Sequence, residues 1–101
     1  LLDIYLTMTK RIKSVSIDQV MKALGDPVRI SVVKQLLDAG EEMACGTFEH
    51  SLTKATFSHH IKILLDAGVI SRREDGTRKF LSLNEALDKE YPGLLKLIQQ
   101  S

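Results

Sequence analysis

Apolar positions change their period along the chain, and the changes divide it into helices and one hairpin. Ile17, Val20, Met21 and Leu24 stand at i, i+3, i+4 and i+7, the spacing of one helix face, with Ser16 placed to cap the helix and Gly25 to end it. Asp26-Pro27 starts a second helix with an acceptor side chain at the cap and proline in the first turn; Ile30, Val33 and Leu37 form its stripe and Gly40 closes it. Glu41 to Ser51 is mixed, with a brief strand expected at Met43-Ala44-Cys45 and one or two helical turns from Gly46 to His50. Thr53 caps a third helix that runs to Ala67, with Gly68 as its left-handed stop. From Val69 the apolar spacing no longer fits a helix. Val69 to Arg73 and Arg78 to Leu83 read as the two strands of a hairpin, closed by a two-residue Asp75-Gly76 loop. Asn84 caps a short turn of helix, and Leu94, Leu95, Leu97 and Ile98 supply a last apolar helix after Pro92-Gly93. Leu2, Leu6 and Ile12 are loosely spaced, so residues 1–13 are read as an N-terminal extension or a dimerisation helix.

Helix, helix, short helix, helix, hairpin, helix is the order of a winged helix-turn-helix domain, mainly α with a small β-hairpin wing. At 101 residues, with 44% hydrophobic and 27% charged, residues 1–101 are expected to form one such domain around one core. No run approaches the ~20 apolar residues of a membrane span. Cys45 is the single cysteine, which excludes an intrachain disulfide or a multi-cysteine zinc site and fits a reducing cytoplasm. The net charge of +1 is uninformative, but its distribution is not. Residues 14–52 carry Lys22, Arg29 and Lys34 against Asp18, Asp26, Asp38, Glu41, Glu42 and Glu49. Residues 53–82 carry Lys54, Lys62, Arg72, Arg73, Arg78 and Lys79 against Asp66, Glu74 and Asp75. One basic third is the layout expected of a face that meets a polyanion, and also that of a solvated surface with clustered charge.

On a helical wheel Phe57, Ile61, Leu64 and Leu65 share the face that must pack on a core. Ala55, Ser58, His59 and Lys62 share another, small or polar with one cation. Such a helix can enter a major groove: Ala55 and Thr56 allow close approach, Ser58 and His59 meet base edges, and Lys54 and Lys62 meet phosphates. An ordinary surface helix facing water has the same periodicity. The hairpin shifts the balance. A two-residue Asp75-Gly76 loop would set Arg73 opposite Arg78 and Arg72 opposite Lys79, two like-charge pairs that an intervening phosphate backbone would relieve. Helix and hairpin together point to double-stranded DNA.

Ala23-Leu24-Gly25-Asp26-Pro27-Val28-Arg29-Ile30 resembles the segment that opens the ArsR family of winged helix-turn-helix repressors. Lys54-Ala55-Thr56-Phe57-Ser58-His59-His60-Ile61-Lys62-Ile63-Leu64, followed by Asp66-Ala67-Gly68-Val69-Ile70, resembles that family's recognition helix and its run into the wing. Gly76-Thr77-Arg78-Lys79-Phe80 resembles the wing's second strand. The match covers about residues 16–83, and its pieces in this order are specific where each alone is not. The resemblance implies a homodimeric bacterial repressor with recognition helix 53–67, wing 69–83 and dimer contacts from the terminal helices, here Leu2, Leu6 and, within 92–100, Leu94, Leu97 and Ile98.

An inducer site does not carry over. Where some members have a Cys-x-Cys word, this chain has Met43-Ala44-Cys45-Gly46-Thr47, and Asp88 to Gln100 contains no histidine. No metal or cofactor is expected. Cys45 reads as a small packed residue, with a soft-metal site shared with His50 and a redox thiol as the alternatives. His60 lies beside the Phe57/Ile61 stripe and is expected to be half-buried and hydrogen-bonded, whereas His59 faces outward as the candidate base contact. A winged-helix module that binds protein instead of DNA is the competing function, supported by the acidic Glu74-Asp75 wing tip. A Cys45-dependent repressor is a further one. An enzyme is not expected, since the chain has no Gly-rich phosphate loop or nucleophile motif. Five aromatic residues without tryptophan leave no stacking platform for single strands.

Overall fold

Asp26 and Gly40 show how local sequence sets the helix boundaries. In the computed structural model, which describes residues 15–101, the Asp26 carboxylate accepts from the backbone N–H groups of Val28 (2.8 Å) and Arg29 (3.3 Å). Pro27 occupies the first turn, and Gly40 ends the helix at φ 69°. The helices are α1 (Ile17–Ala23), α2 (Pro27–Ala39), α3 (Lys54–Asp66), α4 (Glu85–Glu90) and α5 (Leu94–Gln100). The strands are β1 (Met43–Ala44), β2 (Ile70–Asp75) and β3 (Arg78–Leu83), with a 3₁₀ turn over Cys45–Thr47. This is the expected fold class, helices with a small wing. The sheet, however, is a three-stranded antiparallel one of order β1-β3-β2, because β1 pairs Met43 with Leu81 and Ala44 with Phe80.

The core lies between the helices and the inner face of the sheet, with α4 and α5 contributing Leu87 and Ile98. Val20, Val33, Leu64, Val69, Leu81 and Leu87 are fully inaccessible there. Each fully buried side chain of this size contributes about 1.5–3 kcal/mol. Two helix faces differ from the periodic reading. In α1 the buried positions are Val20 and Ala23, while Ile17 and Met21 are 45% and 52% exposed. The buried face is centred on Val20 and Ala23, so Ile17 and Met21 fall at its outer edge. In α2 the buried residues are Val32, Val33 and Leu36, with Ile30 and Leu37 at the margin. Ser16 precedes α1 but makes no side-chain cap; its hydroxyl donates to Asp18 instead. The expected helix over 46–50 is reduced to the 3₁₀ turn.

The hairpin register also differs. Asp75 pairs with Arg78, Glu74 with Lys79, Arg73 with Phe80 and Arg72 with Leu81, so the loop is Gly76-Thr77. Gly76 has φ 62° and no other residue type has a positive φ among the described residues, the signs of a type II′ turn with glycine first. Opposite charges therefore face each other along the ladder, and the like-charge pairs Arg73–Arg78 and Arg72–Lys79 do not form. The argument for a phosphate relieving them falls with that register.

Candidate nucleic-acid interface

The turn before α3 is built by three contacts. Gln35 on α2 clamps the segment, its Nε2 donating to the Glu49 carbonyl (3.1 Å) and its Oε1 accepting from the Glu49 N–H (2.9 Å). His50 stacks on Phe57 with centroids 3.9 Å apart and planes 3° from parallel, and its Nδ1 accepts from the Leu52 N–H. Thr53 then caps α3, its hydroxyl oxygen accepting from the Thr56 N–H (3.2 Å). At the other end Gly68 takes φ 78°, and its carbonyl accepts from Asn84 Nδ2 (2.7 Å), tying the end of α3 to the end of the wing.

With α3 fixed at both ends, Phe57, Ile61 and Leu64 are buried and Lys54, Ala55, Thr56, Ser58, His59 and Lys62 are exposed. An open cleft of about 1290 Å³ lies between α3 and the wing. Lys54, Ser58 and Lys62 line one side, and Ser71, Arg72, Thr77, Arg78 and Lys79 the other. Ala55, Thr56 and His59 lie on the exposed surface of α3 outside this cleft.

Arg73 is the expected site residue that the structure takes elsewhere. Strand alternation puts it on the opposite face of the wing from Arg72, where it forms a bidentate pair with Glu42 (Nε 3.1 Å). Its guanidinium also lies 4.5 Å from the Phe80 ring centroid, with that of Arg78 at 5.1 Å. The hydrogen bond to Arg73 holds the Glu42 carboxyl below its usual range and raises the Arg73 guanidinium. Two cleft cations also have carboxylate partners: Lys62 with Asp66 (2.8 Å) and, more loosely, Arg72 with Glu74 (3.9 Å). Lys54, Arg78 and Lys79 form no ion pair among the described residues.

His60 is half-buried and hydrogen-bonded, as its place on the wheel indicates; its partner, Arg29 Nη1 at 2.9 Å, sits thirty-one residues away. Cys45 is partly buried, and burial pushes its thiol up while Lys79 and Arg72 oppose the shift. Cys45 and His50 border the same cleft, and no cluster of three metal-ligating side chains occurs among the described residues. Of the expected dimer residues, Ile98 is buried in this chain's own core, Leu94 packs partly against that core, and Leu97 is 65% exposed. Leu2 and Leu6 lie outside the described residues. Sequence reasoning missed Ser71 and Thr77, which line the cleft without sharing the strand face of Arg72, and Glu42, which has no local signal.

A short sheet closing as a wing beside a capped, exposed helix is the DNA-binding architecture of winged-helix transcriptional regulators. A helix-turn-helix domain family matches residues 24–73. The chain is 35% identical over 83 residues to the HTH-type transcriptional regulator YceK of Bacillus subtilis, covering 79% of this chain and 83% of that one. It is 37% identical over 79 residues to an arsenical resistance operon repressor of the same organism, covering 77% and 72%. Among solved structures, HlyU from Vibrio cholerae matches with TM-score 0.68 at 21% identity over 81% of this chain and 86% of that one. The repressor BigR from Xylella fastidiosa matches with TM-score 0.66 at 23% identity over 95% and 90%. The chain belongs to the ArsR family of winged helix-turn-helix DNA-binding transcriptional regulators. No helix among the described residues is long and apolar enough to cross a membrane.

Proposed function

We propose that this chain is a cytoplasmic, homodimeric, sequence-specific repressor that acts without catalysis. The observation that carries the reading is the shared cleft, with Lys54, Ser58 and Lys62 on α3 facing Arg72, Arg78 and Lys79 on the wing. The N-terminal half of α3 enters the major groove. There Ser58 and His59 meet base edges, Ala55 and Thr56 permit close approach, and the Lys54 head group and the helix N-terminus meet phosphate. Arg72, Arg78 and Lys79 follow the sugar-phosphate backbone, and Arg73 is left out of the contact set. The names of the arsenical resistance relatives support repression.

Dimerisation would use the terminal helices. Leu97 is exposed and available, and Leu94 adds its partly exposed surface. Residues 1–13, through Leu2 and Leu6, are proposed to extend that contact. Two protomers would place two copies of α3 about 34–36 Å apart, one turn of the duplex. The test is footprinting on a duplex that the protein selects from a randomised pool. Protection in two half-sites one helical turn apart is expected; protection without pattern along any duplex would contradict the reading. The competing reading, a protein-interaction module, draws on the ion pairs that partly neutralise Lys62 and Arg72. It is favoured if Arg72→Ala and Lys79→Ala leave DNA binding unchanged.

A further inference from the structure

We propose that His60 is a positioning residue for DNA recognition: by accepting a hydrogen bond from Arg29 it fixes the roll of α3 against the corner between α1 and α2. The inference rests on the DNA-reading function above. The Arg29 guanidinium reaches three acceptors. Its Nε donates to the Ala23 carbonyl (2.5 Å), its Nη2 to the Lys22 carbonyl (3.5 Å), and its Nη1 to His60 Nδ1 (2.9 Å). The first two are carbonyls at the end of α1, where no next helical turn supplies a partner for the full set. Arg29 itself stands in the first turn of α2, whose cap is Asp26. One planar group thus joins three helices.

Arginine has donors only, so His60 Nδ1 must accept, and the neutral imidazole carries its hydrogen on Nε2. Among the described residues the other charged group near it is the Asp26 carboxylate, 3.9 Å from Nδ1 and beyond hydrogen-bond distance. Burial opposes ionisation of that carboxyl, but the N–H groups of Arg29 and Val28 and the charge of Arg29 outweigh it and hold it below the usual range. The His59 ring is 6.2 Å from the His60 ring, centroid to centroid. His60 therefore has a specific partner rather than a merely apolar socket. It is also the immediate neighbour of the base-reading position. A roll of α3 by about 10° moves a side-chain tip at a radius of about 6 Å by about 1 Å, enough to lose a hydrogen bond to a base edge.

The experiment compares the parent chain with His60→Ala, His60→Asn and Arg29→Lys, and with the double variant Arg29→Lys/His60→Ala. Asparagine returns an acceptor, Oδ1, to the place of Nδ1. Lysine keeps the charge of Arg29 but cannot reach three acceptors. Binding is measured to a duplex selected from a randomised pool and to its scrambled counterpart, with thermal unfolding as a check that each variant folds. His60→Ala and Arg29→Lys are each expected to weaken the selected complex roughly tenfold while leaving the scrambled one within about twofold. His60→Asn should restore most of the loss, and the double variant should be no weaker than the weaker single. In the DNA-free chain, hydrogen exchange at residues 58–63 should speed up in His60→Ala and slow again in His60→Asn.

Equal losses on both duplexes, failure of asparagine to rescue, or losses that multiply in the double variant would each overturn the proposal. A parent chain that binds neither duplex refutes the DNA-reading function instead, and the exchange comparison then decides whether His60 holds the helix.

Discussion

Arg73 and Glu42 form a bidentate ion pair across the outer face of the wing, linking β2 to the residue just before β1. Both groups are exposed, so the pair adds little to stability and is screened by salt. Its consequence is for binding, because Glu42 neutralises a wing arginine and holds it on the face away from Arg72. Replacing Glu42 with Gln is expected to tighten binding to any duplex and to steepen the salt dependence by about one unit per protomer. Arg73→Ala should change DNA binding far less than Arg72→Ala. Because the folded Glu42 carboxyl lies below its usual range, the pair's contribution is complete above that range and disappears as pH falls through the lowered value. Identical salt slopes in Glu42→Gln and the parent would refute this role.

His59 and Lys79 should separate base reading from backbone contact. His59→Ala is expected to cost about 1–3 kcal/mol on the selected duplex and little on a scrambled one. Lys79→Ala should weaken both and flatten the salt slope by about one unit in each protomer. Parallel losses in the two variants, measured by fluorescence anisotropy, would remove His59 from the base-reading set.

Gly68 joins the recognition helix to the wing at φ 78°, and a Cβ there would lie 3.4 Å from Val15. Gly68→Ala should therefore destabilise the fold by about 1–2 kcal/mol, chiefly from the left-handed backbone. Gly46→Ala, where a Cβ meets nothing within 4 Å, is the control and should stay within about 0.5 kcal/mol. Urea unfolding at constant slope measures both; equal midpoints would contradict the assignment.

Cys45 should behave as a packed thiol. Burial raises its pKa against the pull of Lys79 and Arg72, so alkylation of the native chain is expected to be slower than that of the unfolded chain at the same pH. Cys45→Ser should bind DNA as the parent does. A rate at or above that of the unfolded chain, or loss of DNA binding in Cys45→Ser, would point instead to a thiol with a role in regulation.

The helix boundaries were legible because each is written in one or two residues: Asp26-Pro27 and Gly40 for α2, Thr53 and Gly68 for α3. The buried face of α3 was legible because thirteen residues make the period clear. The hairpin register was not. Asp75-Gly76 and Gly76-Thr77 are both two-residue turn words, and placing glycine first instead of second shifts every cross-strand pair. That shift turned the expected like-charge ladder into pairs of opposite charge. Nor does pattern reveal that Glu42 meets Arg73 or that Arg29 meets His60, since each pair is separated by thirty-one residues and depends on the packed fold. The apolar residues of α1 and α5 were visible, but periodicity does not distinguish an exposed Met21 or Leu97 from a buried Val20 or Ile98.

Fluorescence anisotropy of the selected and scrambled duplexes across a salt titration, with reductant and chelator present, tests the central claim most directly. The account predicts a tighter selected complex whose log affinity falls with log salt at a slope of roughly −5 to −9, as six to ten phosphate contacts require. Absence of binding to either duplex at low salt would contradict it.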